Sequence, residues 1–245
     1  MNTPQPAEVP TVMEDVVIGW VRPDLVHGDF MDCVLRTIAT DREDACRLAG
    51  WTQVRSGANV AAARNRLVNW FLDTHADWLL MVDTDMVWTP EDVTTLLAHA
   101  HPDAAPIVGG LCFAKEFDSG AVWPTLFEAE DAGGFPRLFR FHSWPPNALY
   151  QVDGTGAAFL LVHRTVFETV AARGFSVAYP WFQETENPAG RVSEDLTFCL
   201  RARACGYPVH VHTGVQVGHI KTHVVTAGTY LSQRLGVDAS EGEQR

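Results

Sequence analysis

The chemistry of this sequence is concentrated in acidic residues set where strands should end and helices should begin. Asp83 and Asp85 follow the apolar run Trp78-Leu79-Leu80-Met81-Val82 and form a DxD triplet. Glu194 and Asp195 follow Ser193 in SEDLTFCLRARACGYP, a spacing that places both acids in the first turn of a helix. Gly218-His219-Ile220 comes just beyond a strand-like stretch, HVHTGVQV. Carboxylates with at most one imidazole suit a hard divalent ion, Mg²⁺ or Mn²⁺, which keeps open positions for phosphate oxygens. A metal-bridged diphosphate is the natural ligand of such a set. Each motif also has a plain structural reading. Aspartate is common in turns, acids in a first turn complement the helix dipole, and a lone histidine after a strand is an ordinary packing residue.

These groups can act together only if the surrounding elements converge. Val16 to Val21 is a continuous apolar run, followed by a loop (Arg22 to Gly28) and a helix over about Asp29 to Thr40, a first β-α unit. Trp51 to Ser56 reads as a second strand. Val60, Leu67, Val68, Phe71 and Leu72 then repeat at helical spacing. Arg64 lies on that apolar stripe, so it needs an anionic or carbonyl partner, either a ligand or an internal salt bridge. Trp78 to Val82 is apolar on both faces, as a central parallel strand covered by helices should be. Its carboxyl end is where open α/β sheets bind ligands, so Asp83 and Asp85 can face one cleft. Thr89-Pro90-Glu91 opens a helix through about Ala100. Another buried strand covers Ile107 to Phe113. From Gly120 to Tyr150, short Pro- and Gly-punctuated aromatic segments predict a β-rich excursion. Gly156 to Val162 reads as a strand, Thr165 to Ala172 as a helix, and Ser193 as the N-cap of a helix that Gly206 and Pro208 end. Trp123, Trp144, Trp181 and Phe182 lie in aromatic segments and could stack on a sugar or base or pack in the core. His210 and His212 alternate on a strand and point to one face, with zinc as a remote use.

The 245 residues allow one large α/β domain or two small ones. Residues 1–14 and 236–245 are polar and read as flexible tails, leaving 15–235 as a single domain. With 18 basic against 30 acidic side chains the formal charge is −12, which argues against broad charge-driven nucleic-acid binding. Lys115 and Lys221 are the only lysines. No stretch reaches the roughly 20 apolar residues of a membrane span, and the first residues lack a signal-peptide pattern. Five cysteines without CxxC spacing predict buried free thiols in a reducing cytoplasm, a host cytoplasm if the protein is viral.

Asp83-Thr84-Asp85, Ser193-Glu194-Asp195 and Gly218-His219, in this order, resemble the GT-A glycosyltransferases, especially small family-two-like enzymes of bacteria and their viruses. The resemblance spans most of residues 15–225 and includes Ala63-Arg64-Asn65 and the Asp153-Gly154-Thr155-Gly156 stretch. It implies a Rossmann-like, mainly parallel mixed sheet flanked by helices, with a smaller β-rich insertion. It further implies a nucleotide-diphosphate sugar donor, a UDP-sugar, bound through Mn²⁺ or Mg²⁺. Asp85 would be a metal ligand, His219 a second, and Asp83 would lie nearer the ribose or the metal. Arg64 and Asn65 would belong to the nucleotide site, and Asp153, Gly154 and Gly156 to the sugar site. Lys221 and His223 would reach the diphosphate. Asp195, with Glu194 beside it, is the candidate base that takes a proton from the acceptor hydroxyl in an inverting transfer. Inversion and retention both stay open. So does the acceptor: a glycan, a protein, a lipid-linked sugar, a small molecule or a modified DNA base.

The first strand departs from the family pattern by ending in Gly19-Trp20-Val21-Arg22. The loop from Pro23 to Gly28, with Asp24 and His27, is expected to meet the nucleotide base instead. Two other chemistries compete. A haloacid-dehalogenase-type phosphatase would use Asp83-x-Asp85 as its nucleophile motif, although that motif belongs after a first strand. A nucleotidyltransferase would need a Gly-rich basic signature near the first strand, which is missing. A non-catalytic nucleotide-sugar-binding module is the alternative outside the enzymes.

Overall fold

The computed structural model describes residues 15–44, 47–115 and 121–221. Both expected tails, and with them residues 222–235 and His223, lie outside the described residues. Along the chain, β1 (Val16–Arg22) leads to α1 (Gly28–Asp44), β2 (Leu48–Arg55), α2 (Val60–Leu72), β3 (Trp78–Asp83), the short β4 (Met86–Val87), α3 (Pro90–His99) and β5 (Ile107–Leu111). The β-rich excursion follows as β6 (Phe113–Lys115), β7 (Val122–Pro124), β8 (Leu126–Asp131) and β9 (Pro136–Arg140). Then come β10 (Leu149–Val152), β11 (Gly154–Thr155), β12 (Phe159–His163) and α4 (Arg164–Arg173). The hairpin of β13 (Thr185–Asn187) and β14 (Gly190–Val192) precedes α5 (Glu194–Ala204), β15 (Val209–Gln216) and β16 (Gly218–His219).

Seven strands form the central sheet in the order β10-β15-β5-β12-β3-β1-β2. β1 is parallel to β2 and β3, and β5 to β15; β12 runs antiparallel to both β3 and β5, and β10 antiparallel to β15. The sheet is therefore mixed and mainly parallel. Because β12 runs the other way, the turn that precedes it, Gly156 to Ala158, meets the carboxyl end of β3, and the strand expected from Gly156 begins only at Phe159. The Asp83 N–H donates to the Ala158 carbonyl there (2.9 Å).

Alternation along the strands divides the core between the two faces of the sheet. Val16, Ile18 and Trp20 of β1 and Trp78, Leu80 and Val82 of β3 pack with Phe30 of α1 and Leu96 of α3. Val17, Leu79 and Met81 face the other way, toward Leu67 and Phe71 of α2, Phe167 of α4 and Phe198 of α5. Phe198 stacks between Phe167 and Phe182, with ring centroids 5.5 and 4.8 Å away. The apolar character of both faces of β3 follows directly from this double cover.

Element ends follow local chemistry. Thr89 caps α3 in a reciprocal capping box with Asp92, and Pro90 fills the first turn, where its missing N–H costs nothing. Gly206, at φ +90°, takes the left-handed conformation that stops the chain after α5. The run expected as one strand over Ile107 to Phe113 is two. The chain leaves the sheet at Cys112, whose carbonyl accepts from the Thr125 N–H (2.9 Å), and β6 pairs with β7 instead. No helix among the described residues is long and apolar enough to cross a membrane.

Candidate active site

The DxD turn and the Gly-His motif, 134 residues apart, are clipped together by backbone pairing. β16 lies antiparallel on β4, with His219 opposite Met86 and Gly218 opposite Val87. The Ile220 N–H donates to the Asp85 carbonyl at 2.7 Å. Gly218 permits this close approach, since a Cβ there would stand 2.9 Å from Val87 Cγ2. As a result His219 Nε2 lies 2.8 Å from Asp85 Oδ2, and His219 Nδ1 lies 2.8 Å from the Phe113 carbonyl oxygen. A carbonyl only accepts, so Nδ1 carries a proton and the ring is fixed with Nε2 toward Asp85. Lys221 Nζ is 3.1 Å from the same Oδ2 and also touches His219 Nε2. Burial would raise the Asp85 pKa, but the hydrogen bond from His219 and the charge of Lys221 overrule it and hold the carboxyl down at about 2. The pKa of His219 is raised, chiefly by its bond to Asp85.

Asp83, two residues away, faces a different partner. Its two oxygens accept from Arg64 Nη2 at 2.8 and 3.0 Å, and Arg64 Nη1 binds Glu194 Oε1. Arg64 thus joins the end of β3 to the first turn of α5 from the buried stripe of α2. Burial opposes its charge, and the Coulombic pull of Asp83, Glu194 and Asp195 more than compensates. The Glu194 pKa is raised because burial, joined by the negative charges of Asp195 and Asp83, outweighs Arg64. Replacing Arg64 by methionine keeps the apolar stem and leaves two carboxylates without their shared cation. The expected loss is about 2–3 kcal/mol, below the usual cost of breaking a fully buried pair because Asp83 is partly solvated. A urea midpoint equal to wild type would refute the clamp.

A cleft of about 840 Å³ opens over this clamp, lined by the first turn of α2 (Asn59 to Ala61), Arg64, Asp83, Tyr179, Gln183, Glu184, Glu194 and Asp195. The amino ends of α2 and α5 both border it, which favours anions. Asp195 is half-buried at its wall. Its Oδ1 accepts from the Leu196 N–H (2.8 Å) and from the Ser193 hydroxyl, while Oδ2 would lie 3.5 Å from a Cβ on Gly156. Ser193 occupies the N-cap position as expected, but its hydroxyl turns to Asp195 and caps no backbone N–H. Glycine at 156 keeps the space beside that carboxylate open.

Several expected site residues are bound elsewhere. Asn65 is buried: its amide donates to the Ala61 and Phe182 carbonyls at 2.7 Å each and accepts from the Trp181 N–H at 3.2 Å. It fastens the loop 176–183 to α2 and has no face for a donor. Asp153 pairs with Arg203 at 2.5 Å and accepts from the Ala129 N–H at 2.6 Å, tying the β-rich insertion to α5. Gly154 packs against α5, where a Cβ would meet Leu196 Cδ2 at 2.9 Å. Both contacts fix the insertion against α5. Trp181 and Phe182 are in the core, and Trp123 packs on His142. Asp24 is exposed and pairs with Arg55 beside a separate groove of about 430 Å³ lined by Trp20, Arg22, Trp51 and Gln53. His27 stands at the start of α1, its carbonyl accepting from the Met31 N–H. His210 and His212 share a face of β15, where the His212 ring centroid lies 4.4 Å from that of His99.

Tyr179, Gln183 and Glu184 line the cleft and were not singled out from the sequence. Their signal was the aromatic segment AYPWFQE, in which Trp181 and Phe182 turn inward and their neighbours face out. Arg201 holds that segment by donating to the Tyr179 and Pro180 carbonyls (2.6 and 3.0 Å) and to Gln183 (2.6 Å).

Among the described residues no group of three or more His, Cys, Asp or Glu side chains gathers as a metal cage. Asp85 and His219 still fit an octahedral ion that draws its other ligands from phosphate and water. Two ligands at right angles on an ion with bonds of roughly 2.1 Å lie about 3 Å apart, close to the separation found here. The Phe113 carbonyl accepts from Nδ1 and so orients the imidazole as metal-binding histidines require.

No protein-family model matches the chain, and no curated protein matches it by sequence. Solved structures do match it in fold. The crystal structure of A197 from STIV superposes with a TM-score of 0.54 at 13% identity, covering 85% of this chain and 86% of that one. GalNAc-T7, crystallised with UDP, GalNAc and Mn²⁺, superposes with a TM-score of 0.58 at 12% identity over 90% of this chain. The chain spans 47% of the length of GalNAc-T7. The fold is that of the GT-A glycosyltransferases.

Proposed function

We propose that this protein is a metal-dependent glycosyltransferase of the family-two-like type of bacteria and their viruses. It moves a sugar from a nucleotide-diphosphate sugar, a UDP-sugar, to a hydroxyl acceptor. The observation that carries this reading is the convergence of Asp85 and His219 at the carboxyl edge of the sheet, beside a cleft walled by Asp195. GalNAc-T7 was crystallised with UDP and Mn²⁺, which supports the choice of nucleotide and of Mn²⁺ or Mg²⁺ as cofactor. Residues 15–235 form the working unit, and the free Cys33, Cys112 and Cys199 in the core agree with a reducing cytoplasm.

In this reading Asp85 and His219 would hold a divalent ion, whose charge would stabilise the departing diphosphate. Asp83 orients the ribose end of the donor and is itself fixed by Arg64. Gly156 leaves room for the sugar next to Asp195. Asp195 takes the proton of the acceptor hydroxyl as that oxygen attacks the sugar carbon; Ser193 and the Leu196 N–H hold its other oxygen and set its direction. Glu194, bound to Arg64, supports Asp195 from the same helical turn. The groove of Trp20, Trp51 and Asp24 beside β1 and β2 suits the nucleotide base, stacked on an indole. Lys221 and His223 stand close enough in sequence to His219 to meet the diphosphate.

The phosphatase alternative needs Asp83 as a free nucleophile, and both oxygens of Asp83 are engaged by Arg64. Incubation with a panel of nucleotide sugars and Mn²⁺ tests the proposal, read as release of free nucleotide diphosphate. Slow release from one UDP-sugar, absent with EDTA, is the expected result. Release of inorganic phosphate from simple phosphomonoesters, with no nucleotide sugar consumed, would overturn it.

A further inference from the structure

Two basic side chains crowd a single carboxylate oxygen at the DxD turn. Asp85 Oδ2 lies 2.8 Å from His219 Nε2 and 3.1 Å from Lys221 Nζ, and the ammonium touches the imidazole nitrogen as well. Lys221 therefore stands where it meets both groups that would hold a divalent ion. Charge explains the arrangement. Without a metal, Asp85 is a partly buried carboxylate that needs a counter-cation, and an ammonium on a flexible stem two residues beyond His219 is within reach. The side chains of Asp85 and Lys221 are 34% and 43% exposed, so the contact is weak enough to be reversible. A divalent ion held at Oδ2 and Nε2 would take the place of the ammonium beside both atoms and would repel it.

We propose that Lys221 is a tethered counter-cation of the Asp85–His219 site, which it holds closed in the metal-free protein and leaves when a divalent ion enters. Metal and ammonium exclude each other on the same two atoms, so the ion's apparent affinity is reduced by the fraction of molecules in which Lys221 is docked. Displacement also frees a cation at the site's edge as the diphosphate arrives. This inference rests on the metal-site reading above and adds a competitor to it.

The composition makes the test direct, because Lys115 and Lys221 are the only lysines and Lys115 is exposed. Acetylation by an amine-reactive ester, read at each lysine by mass spectrometry, reports Lys221 with Lys115 as the internal reference. Mn²⁺ alone is expected to raise Lys221 labelling about two- to fivefold, the scale of a partly exposed ion pair, and to leave Lys115 unchanged. Asp85→Asn should give the raised labelling without metal and no response to Mn²⁺. In parallel, Mn²⁺ binding followed by paramagnetic resonance should be about two- to fivefold tighter in Lys221→Gln than in wild type. Binding seen only in Lys221→Gln would also support the competition. Mn²⁺ binding to wild type with Lys221 labelling unchanged would overturn this inference and leave the metal site standing. No Mn²⁺ binding to wild type or to Lys221→Gln would overturn the metal-site reading and this inference together.

Discussion

Asp85→Ala is expected to lose Mn²⁺ binding and sugar transfer together while keeping its fold. In the proposed site Asp85 supplies the charged oxygen ligand among the described residues, and His219 alone cannot replace it. Loss of an outer-shell partner already costs about 10–100-fold in metal affinity, so loss of this ligand should cost roughly 100-fold or more. The side chain is partly exposed and sits in a turn, so the core does not depend on it. Circular dichroism and the urea midpoint should stay near wild type, in contrast to Arg64→Met. Asp83→Ala should behave differently again. It releases one arm of Arg64, so its defect should appear in stability and in donor affinity, with Mn²⁺ binding largely kept. If Asp85→Ala binds Mn²⁺ as wild type does, the ion is held elsewhere.

Asp195→Asn should leave donor binding intact and lower kcat by about 10²–10⁴, the usual contribution of a positioned general base. The amide is close to the carboxylate in size and can still accept from Ser193 and the Leu196 N–H, so the first turn of α5 should keep its shape. What it cannot do is take a proton. Donor affinity, measured by calorimetry with Mn²⁺ present, should stay within a few-fold of wild type, because the metal pair and the Arg64 clamp are untouched. Glu194→Gln should lose less rate and more stability, since Glu194 is tied to Arg64. Equal kcat in Asp195→Asn and wild type would remove Asp195 from the chemistry and would favour a transfer in which this carboxylate only positions substrate.

Much of the fold is legible in the residues because burial writes a clear pattern. Trp78 to Val82 is apolar at every position, and the structure covers β3 on both faces. Thr89-Pro90 marks the start of α3 through capping chemistry alone. Pairing between distant segments leaves no such mark. Nothing in Gly218-His219 states that it lies on Met86-Val87, and nothing in Ile107 to Phe113 reveals the break at Cys112, because both depend on partners chosen in three dimensions. The site divides in the same way. Arg64 stands out as a charge on an apolar stripe; the sequence favours a ligand as its partner over an internal salt bridge, and the structure shows the salt bridge to Asp83 and Glu194. Asn65 and Asp153 sit in motifs that look like donor contacts, yet each is drawn into fixing a loop or an insertion. Polar side chains next to a site carry the same letters whether they touch substrate or hold backbone. Tyr179 and Gln183 were hidden for the converse reason: the conspicuous Trp181 and Phe182 between them are core residues.

The most direct test of the central claim is calorimetric titration of UDP and UDP-sugars into the wild-type protein with Mn²⁺ and with EDTA. The account predicts binding of UDP and at least one UDP-sugar with Mn²⁺ and its loss in EDTA. Binding that is equally strong in EDTA, or no binding to any of them with Mn²⁺, would contradict it.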